Sequence, residues 1–421
     1  MEISPLYTGL VWSISAGTVA AILLRPRDWP EAIWACVGAA LLVLCGVLTF
    51  FEACAAVARG TDVYLFLTGM MLLAELARRE GVFDWLATRA VNFSDHSRGR
   101  LFAIVYLVGT LVTVFLSNDA TAVVLTPAVY AAVKKARCEP LPYLLICAFI
   151  ANAASFVLPI SNPANLVIYG KTMPPLLTWL RTFALPSLCS IAVTYFALRW
   201  IFQQEIAGQF AGGSGPAMLT DGGRRAAWGI AATGVILMGA SARGLDLGLP
   251  TFLIALSVAL LTTGARPATL RNLFRGISWS VLPLVAGLFV IVEAVNRTGA
   301  LEITGRLLKT WAATPHFAGD LSASFGLAAL SNLVNNLPAG LLLSGALQTS
   351  ASPAHIRDAV LIGVDLGPNL SVTGSLATIL WLLALRREGQ RIDGWRFLRI
   401  GACVMVPALL LATLCLSLTA N

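Results

Sequence analysis

The chain has 421 residues, 57% of them hydrophobic and only 12% charged, with a formal net charge of +8 and a mean hydropathy of +0.80. A soluble globule of this length cannot hide so much apolar surface. The composition therefore excludes a soluble enzyme, a disordered chain and a nucleic-acid binder, and predicts an all-α polytopic membrane protein.

A helix crosses a bilayer with roughly 20 apolar residues. In chain order, such runs fall at about 6–24, 31–50 and 62–78. The first lacks a basic flank and a small-residue cleavage site, which predicts a retained span rather than a leader. Two interrupted stretches follow, 101–133 (broken at Ser117-Asn118-Asp119) and 141–170 (broken at Pro159 to Asn165), and then a run at 177–200. After a Gly-rich joint come 226–242, 249–264 and 279–296, then the interrupted 320–348 (Ser331 to Pro338) and 356–386 (Gly367 to Gly374), and finally 396–419. The stretches 101–133 and 320–348 read as re-entrant hairpins, and 141–170 and 356–386 as broken spanning helices, giving about ten spans and two hairpins.

Basic residues favour the cytoplasmic side of a membrane. With both termini outside, this topology puts 21 of the 29 Lys and Arg residues in inner loops and 8 in outer ones. Reading the hairpins as full spans would move Lys134, Lys135 and Arg137 outside.

The two halves resemble each other. Gly69, Glu75 and Gly81 recur as Gly287, Glu293 and Gly299 with the same six-residue spacings. An amphipathic stretch follows each, Phe83 to Phe93 and Leu301 to Trp311, then Ser117-Asn118 and Ser331-Asn332 with Pro127 and Pro338 downstream; Asn152 aligns with Asp365. The expected organisation is a first repeat over residues 1–203, a cytoplasmic linker over 204–225 and a second repeat over 226–421. Each repeat would hold five transmembrane helices and one hairpin, and an odd span count turns the second copy upside down. Inverted repeats with discontinuous helices at the midplane are the pattern of secondary transporters. The joint, Gln203 to Arg225, carries Gly208, Gly212, Gly213, Gly215, Pro216, Gly222 and Gly223 and reads as flexible.

Unwound backbone in a bilayer survives only where it lines a cavity or meets a ligand. The four breaks supply Ser117, Asn118, Asp119 and Thr121; Ser161, Asn162 and Asn165; Ser331, Asn332, Asn335 and Asn336; and Asn369, Thr373 and Ser375, with Asp365 just ahead of the last. Amides and hydroxyls dominate, two acids are present, and Lys, Arg and His are missing. Such a set suits a neutral, hydroxyl-rich solute. A carboxylate at membrane depth is costly to keep charged, so Asp119 and Asp365 are candidates for carrying protons; the alternative is an ionised aspartate capping a half-helix. Glu75 and Glu293, with Arg78, Arg79 and Arg297 at helical spacing, read as scaffold ion pairs. His96, His316 and His355 read as solvated loop residues. The eight cysteines form no CxxC, so neither a zinc site nor a disulfide framework is expected; Cys36, Cys45 and Cys54 fall on alternating helix faces, and Cys147 is the one placed to view the cavity. No HExxH, GxSxG or phosphate-cradling loop occurs in a suitable context, so neither an enzyme nor an ATP-driven pump is expected, and no cofactor.

The strings FLSNDATAVVLTP (Phe115 to Pro127), SNPANLV (Ser161 to Val167), SNLVNNLPAG (Ser331 to Gly340) and DLGPNLSVTGSLATILWL (Asp365 to Leu382) resemble the ArsB family of arsenite and antimonite efflux carriers, within the ion transporter superfamily. The likeness runs from about Gly60 to Trp395. Sodium-coupled dicarboxylate relatives carry Ser-Asn-Thr at both hairpin tips; here Asp119 replaces the first Thr. The ArsB string commonly reads Asn-Asp-Leu-Gly-Pro-Lys, whereas this chain has Val364 before the Asp and Asn369 after the Pro. The resemblance implies a multi-pass inner-membrane antiporter exchanging trivalent metalloid hydroxides for protons, sometimes assisted by a soluble ATPase on the cytoplasmic face. Asn118, Asn165, Asn332 and Asn336 would hydrogen-bond the hydroxide while Asp119 and Asp365 exchange protons. Competing readings are a sodium-coupled anion carrier of the same architecture, a passive channel for neutral solutes and a membrane-embedded enzyme.

Overall fold

The computed structural model describes residues 5–210, 218–264, 266–349 and 352–419. Residues 211–217 of the joint, with Gly212, Gly213, Gly215 and Pro216 among them, lie outside them.

The described chain is helical throughout. The first half runs α1 (Pro5–Leu24), α2 (Glu31–Leu44), α3 (Phe50–Ala58), α4 (Thr61–Arg79), α5 (Val82–Phe93), α6 (Arg98–Phe115), α7 (Asn118–Ala120), α8 (Thr126–Lys135), α9 (Leu141–Ala153), α10 (Pro163–Tyr169) and α11 (Leu176–Ile201). The second runs α12 (Asp221–Ala242), α13 (Gly248–Thr263), α14 (Pro267–Gly276), α15 (Val281–Val295), α16 (Leu301–Ala313), α17 (His316–Val334), α18 (Asn336–Thr349), α19 (Ala354–Leu366), α20 (Leu376–Arg387) and α21 (Gly394–Thr419). Among the described residues, seven helical runs are long and apolar enough to cross a membrane, α15 and α16 counting as one, and eight if α3 and α4 form one bent span; α2, α9, α13 and the first part of α18 are shorter apolar helices. The chain is a polytopic membrane protein, as its composition predicts.

The run at 31–50 is not one helix. α2 stops at Leu44, Gly46 takes φ +72°, and Thr49 opens α3 with a capping box: its hydroxyl accepts the Glu52 N–H at 3.3 Å while the Glu52 carboxylate accepts the Thr49 N–H at 2.8 Å. α3 then meets α4 at 53°. The joint is shorter than expected, because Thr220 caps α12 from Asp221 onward. Its described N-terminal part is docked: Phe210 N–H donates to the His96 carbonyl at 2.9 Å and Arg98 N–H to the Gly208 carbonyl at 3.2 Å.

Matching helices pack reciprocally. α4 lies along α13 and α15 along α2, α1 packs on α2 and α12 on α13, and α11 and α21 lie along each other. The paired glycines explain how closely these helices approach. A Cβ on Gly69 would sit 2.8 Å from the Thr251 backbone in α13, and one on Gly287 2.8 Å from the Ala35 backbone in α2. In lipid, where apolar burial does not drive helices together, such small-residue contacts set the interface. Within this frame α9 crosses α19 and α20, and α10 packs on α18 and α19.

Candidate functional site

The breaks at Ser117, Ala154–Asn162 and Leu366–Ser375 fall in or near the apolar stretches the sequence marks, with two corrections. The first broken helix opens five residues before Pro159: α9 ends at Ala153 and α10 begins at Pro163. The physical reason is lateral. Asn152 donates its amide across to Asn369 Oδ1 at 2.9 Å and Thr378 Oγ1 at 3.3 Å, and the Ser155 hydroxyl reaches the Asn152 carbonyl (2.7 Å) and Asp365 Oδ2 (2.8 Å). Backbone carbonyls at the break find side-chain donors as well: Phe149 takes the Asn369 amide from the other half, and Ser155, Leu158 and Pro159 take the Asn165 amide.

The second correction concerns the second hairpin. Ser331 and Asn332 do not form its tip; both lie within α17. The chain turns at Asn335, whose φ of +77° and ψ of 152° take it out of the helical region, and α18 begins at the next residue. The tips Ser117-Asn118-Asp119 and Asn335-Asn336-Leu337 keep the offset of 218 residues that relates Gly69 to Gly287. The structural counterpart of Asp119 is therefore Leu337.

Four half-helices begin around one spot. Ser117 caps α7 and, through a π-turn at Thr121–Leu125, the α8 segment. Asn162 caps α10 by accepting the Ala164 N–H at 3.0 Å, and Ser375 caps α20 by accepting the Thr378 N–H at 3.1 Å. α18 starts at Asn336, whose N–H donates to the Gly374 carbonyl at 2.9 Å and ties hairpin to broken helix. Asn118, Asp119, Asn162, Pro163, Asn336 and Leu337 line a small cavity there, closed by Leu67, Val281, Leu376 and Ala377. No Lys, Arg or His lines it. A wider cleft of about 560 Å³ reaches Ser117 and Asp119 from the end of the bundle that bears Glu75, Arg78, Asp84 and Arg387.

The predicted residues divide into two groups. Asn118, Asp119, Asn162 and Asn336 face the cavity, and the Asp119 carboxylate has no hydrogen-bond partner among the described residues. The others brace the walls. Thr121 Oγ1 lies 2.8 Å from Thr113 Oγ1, and the Ser161 hydroxyl donates to the Val114 carbonyl at 3.0 Å. Asn165 donates to the carbonyls of Ser155, Leu158 and Pro159. Asn332 donates to the Ala328 and Gly367 carbonyls and accepts the Ser371 hydroxyl, while Asn335 reaches the Thr373 carbonyl and Thr373 the Asn332 carbonyl. Asn369 donates to the Phe149 carbonyl at 2.9 Å, and Ser375 Oγ pairs with Thr378 Oγ1. The Ser331 hydroxyl and Asn165 Oδ1 are buried without a partner among the described residues.

Asp365 is fully buried. Its Oδ1 accepts the Asn162 amide at 2.8 Å and its Oδ2 the Ser155 hydroxyl at 2.8 Å, both from the first half, and no cation pairs with it among the described residues. It sits next to last in α19 and Asp119 second in α7, so neither aspartate is a helix cap. Cys147 is fully buried against the Tyr143 carbonyl and lines neither cavity nor cleft. Glu75 pairs with Arg78 and Arg79 at 2.7 and 2.6 Å; Glu293 pairs with Arg59 and Arg297. His316 and His355 are not loose loop residues: they stack on each other, ring centroids 4.0 Å apart, over the buried Asp320.

Asn152, Ser155 and Thr378 are the site residues the sequence reading left out. The signal was available for two of them: Asn152 aligns with the candidate Asp365, and Thr378 lies the same 213 residues after Asn165.

The profile of the CitMHS family, described as citrate transporters, matches residues 19–384. The chain is 25% identical to the arsenical pump membrane protein of Escherichia coli K12, over 97% of this chain and 94% of that one. The arsenical pump membrane protein of Yersinia enterocolitica is 26% identical over 97% and 98%. Among solved structures, the YdaH transporter of Alcanivorax borkumensis shares the fold with a TM-score of 0.57 at 14% identity, covering 88% of this chain and 87% of that one. MtrF of Neisseria gonorrhoeae, titled as one of a class of antimetabolite efflux pumps, gives 0.55 at 12% identity, covering 90% and 84%. With its full-length likeness to transporters and its broken helices meeting in one polar cavity, the chain belongs to the CitMHS family of the ion transporter superfamily.

Proposed function

We propose that this transporter exports arsenite and antimonite, as their neutral trihydroxides, from the cytoplasm in exchange for protons. The observation that carries the reading is the polar meeting point of the four half-helix starts at the inner end of the 560 Å³ cleft, where the amides of Asn118 and Asn336 and the Asp119 carboxylate stand with no cation among the small cavity's lining. Amides donate to and accept from a compact trihydroxide on several sides at once. An anion in the same place would face Asp119 without a counter-charge. The near full-length likeness to arsenical pump membrane proteins points the same way.

In this mechanism residues 1–203 and 226–421 act as inverted halves on either side of a cytoplasmic joint, with both termini outside the inner membrane. The 560 Å³ cleft then opens to the cytoplasm, because the basic residues at its mouth, Arg78 and Arg387, mark that side. The solute loads through it onto the amides and onto Asp119, and its arrival displaces a proton from that carboxylate. Asp365 carries the second proton-exchanging role, its ionised form held by Asn162 and Ser155. The hairpins and broken helices shift as a unit against α4 and α15, and linkage requires only that proton and solute favour different facing states. A soluble ATPase, where present, would meet the cytoplasmic joint.

The test is arsenite uptake into everted membrane vesicles under an imposed pH gradient. Uptake that collapses with a protonophore is expected; uptake indifferent to the gradient would overturn proton exchange and favour a passive channel. A second reading, a sodium-coupled carrier for citrate-like carboxylates, draws on the CitMHS family description and on the four half-helix starts, whose exposed N–H groups favour anions. Sodium-dependent citrate uptake with no arsenite transport would establish it instead.

A further inference from the structure

Away from the cavity, α17 and α19 bring together a group that the transport mechanism does not use. Asp320 is fully buried. Its Oδ1 lies 2.5 Å from His355 Nδ1 and its Oδ2 3.4 Å from His316 Nδ1. Neither Lys nor Arg faces this carboxylate among the described residues. The Ser417 hydroxyl, at the end of α21, donates to Oδ2 at 2.7 Å and fixes the carboxylate's orientation. The three side chains offer one ligand atom each within 4.8 Å of one another, the one such His, Cys, Asp or Glu group among the described residues.

We propose that His316, Asp320 and His355 form a binding site for a divalent transition-metal cation of the zinc class, at the end of the bundle opposite the cleft mouth. Two imidazoles and a carboxylate are a ligand set that Zn²⁺ accepts, with water completing a tetrahedron. With metal–ligand bonds of about 2.0–2.1 Å, tetrahedral neighbours stand about 3.3 Å apart. The three ligand atoms, one from each residue, all lie within 4.8 Å of one another, so each pair reaches that spacing by moving about 1.5 Å or less. Each Nδ1 proton must leave for the metal to enter, either to solvent or to Nε2 of the same ring. Ser417 supplies the outer-shell contact that orients a ligating carboxylate. His316 keeps 44% of its side chain exposed, which gives the ion a way in. Bound metal would pin the starts of α17 and α19 together, one the root of the second hairpin and the other the root of the second broken helix.

The test uses the full chain in detergent, titrated with Zn²⁺ against a competing chromogenic chelator. The wild type should bind one equivalent, and affinity should fall at least 10-fold in His316→Gln and in His355→Gln. Co²⁺ in place of Zn²⁺ should give the visible d–d bands of nitrogen and oxygen ligation; strong near-ultraviolet charge transfer, the mark of thiolate ligation, would assign the ion to cysteines and overturn the proposal. A wild type that binds no Zn²⁺ overturns it without reference to any variant, as do His316→Gln and His355→Gln proteins that melt like the wild type and bind Zn²⁺ equally well.

Discussion

Replacing Asp365 with Asn removes an ionisable group and keeps its shape. The native carboxylate accepts from Asn162 and Ser155. In the variant the carboxamide oxygen still accepts from Asn162, while the new NH2 faces Ser155. Ser155 Oγ lies 2.7 Å from the Asn152 carbonyl, so its single hydrogen turns there and its oxygen accepts from the amide. Every buried polar atom keeps a partner, and stability should change by about 1 kcal/mol or less. Asp365→Ala strands two donors and opens a void, which costs about 2–4 kcal/mol. Transport should respond in the opposite order of subtlety. A gradient of about two pH units gives each exchanged proton about 2.7 kcal/mol, enough for about 100-fold accumulation. Everted vesicles with wild-type protein should build an arsenite gradient of that order, and vesicles with Asp365→Asn should only equilibrate. An Asp365→Asn protein that melts like wild type and still accumulates arsenite to the same extent refutes the proton role of Asp365.

Three further outcomes follow from the geometry. Gly69→Ala and Gly287→Ala should each cost about 1–3 kcal/mol, because each new methyl meets backbone at 2.8 Å; thermal melts that leave either one neutral would contradict the reciprocal packing. Asn118→Ala and Asn336→Ala each remove one hydrogen bond to a neutral solute and should weaken half-saturation for arsenite about 2- to 10-fold, whereas Leu333→Ala, at an exposed residue that lines neither cavity nor cleft, should leave it unchanged. Trp381→Phe loses the indole N–H donated at 2.8 Å to the Leu144 carbonyl and should destabilise the protein by about 1–2 kcal/mol in a melt.

Much of the architecture is legible because lipid makes polar residues conspicuous. Asn, Ser and Pro inside apolar runs mark the breaks, since only a lined cavity or a partner lets such backbone survive at depth. What misled was string identity. Ser331-Asn332 copies Ser117-Asn118 in letters, yet the backbone turns at Asn335, the residue 218 positions after Ser117. The 218-residue spacing of Gly69 and Gly287, continued along the chain, lands on Asn336 and would have found the tip. Asn152 escaped because the break opens directly after it rather than at Pro159, and its partners lie 217 and 226 residues away. The His316–Asp320–His355 group was invisible for the same reason, as Asp320 and His355 are 35 residues apart on different helices.

Charge is placed against the symmetry of the fold. Asp119 on the first hairpin corresponds to Leu337 on the second, and Asp365 on the second broken helix corresponds to Asn152 on the first. The two carboxylates therefore sit in different surroundings: Asp119 faces the cavity, and Asp365 is sealed between the halves with both its donors on the partner half. A solute in the cavity can compete for Asp119 alone. In the proposed exchange Asp365 responds to the crossing itself, because separating the broken helices would take from an ionised Asp365 hydrogen bonds contributing about 1.5–3 kcal/mol each. On that mechanism the ionised form favours the closed crossing and the protonated form tolerates movement. This division predicts unlike phenotypes. Asp119→Asn should change both the apparent affinity for arsenite and its dependence on the pH gradient, since solute and proton meet there. Asp365→Asn should abolish the dependence and leave affinity near wild type. Equilibrium arsenite binding to the two purified variants, set beside vesicle uptake, separates these outcomes; equal affinity losses in both would mean that the solute reaches Asp365 as well, and the sealed crossing would no longer account for coupling.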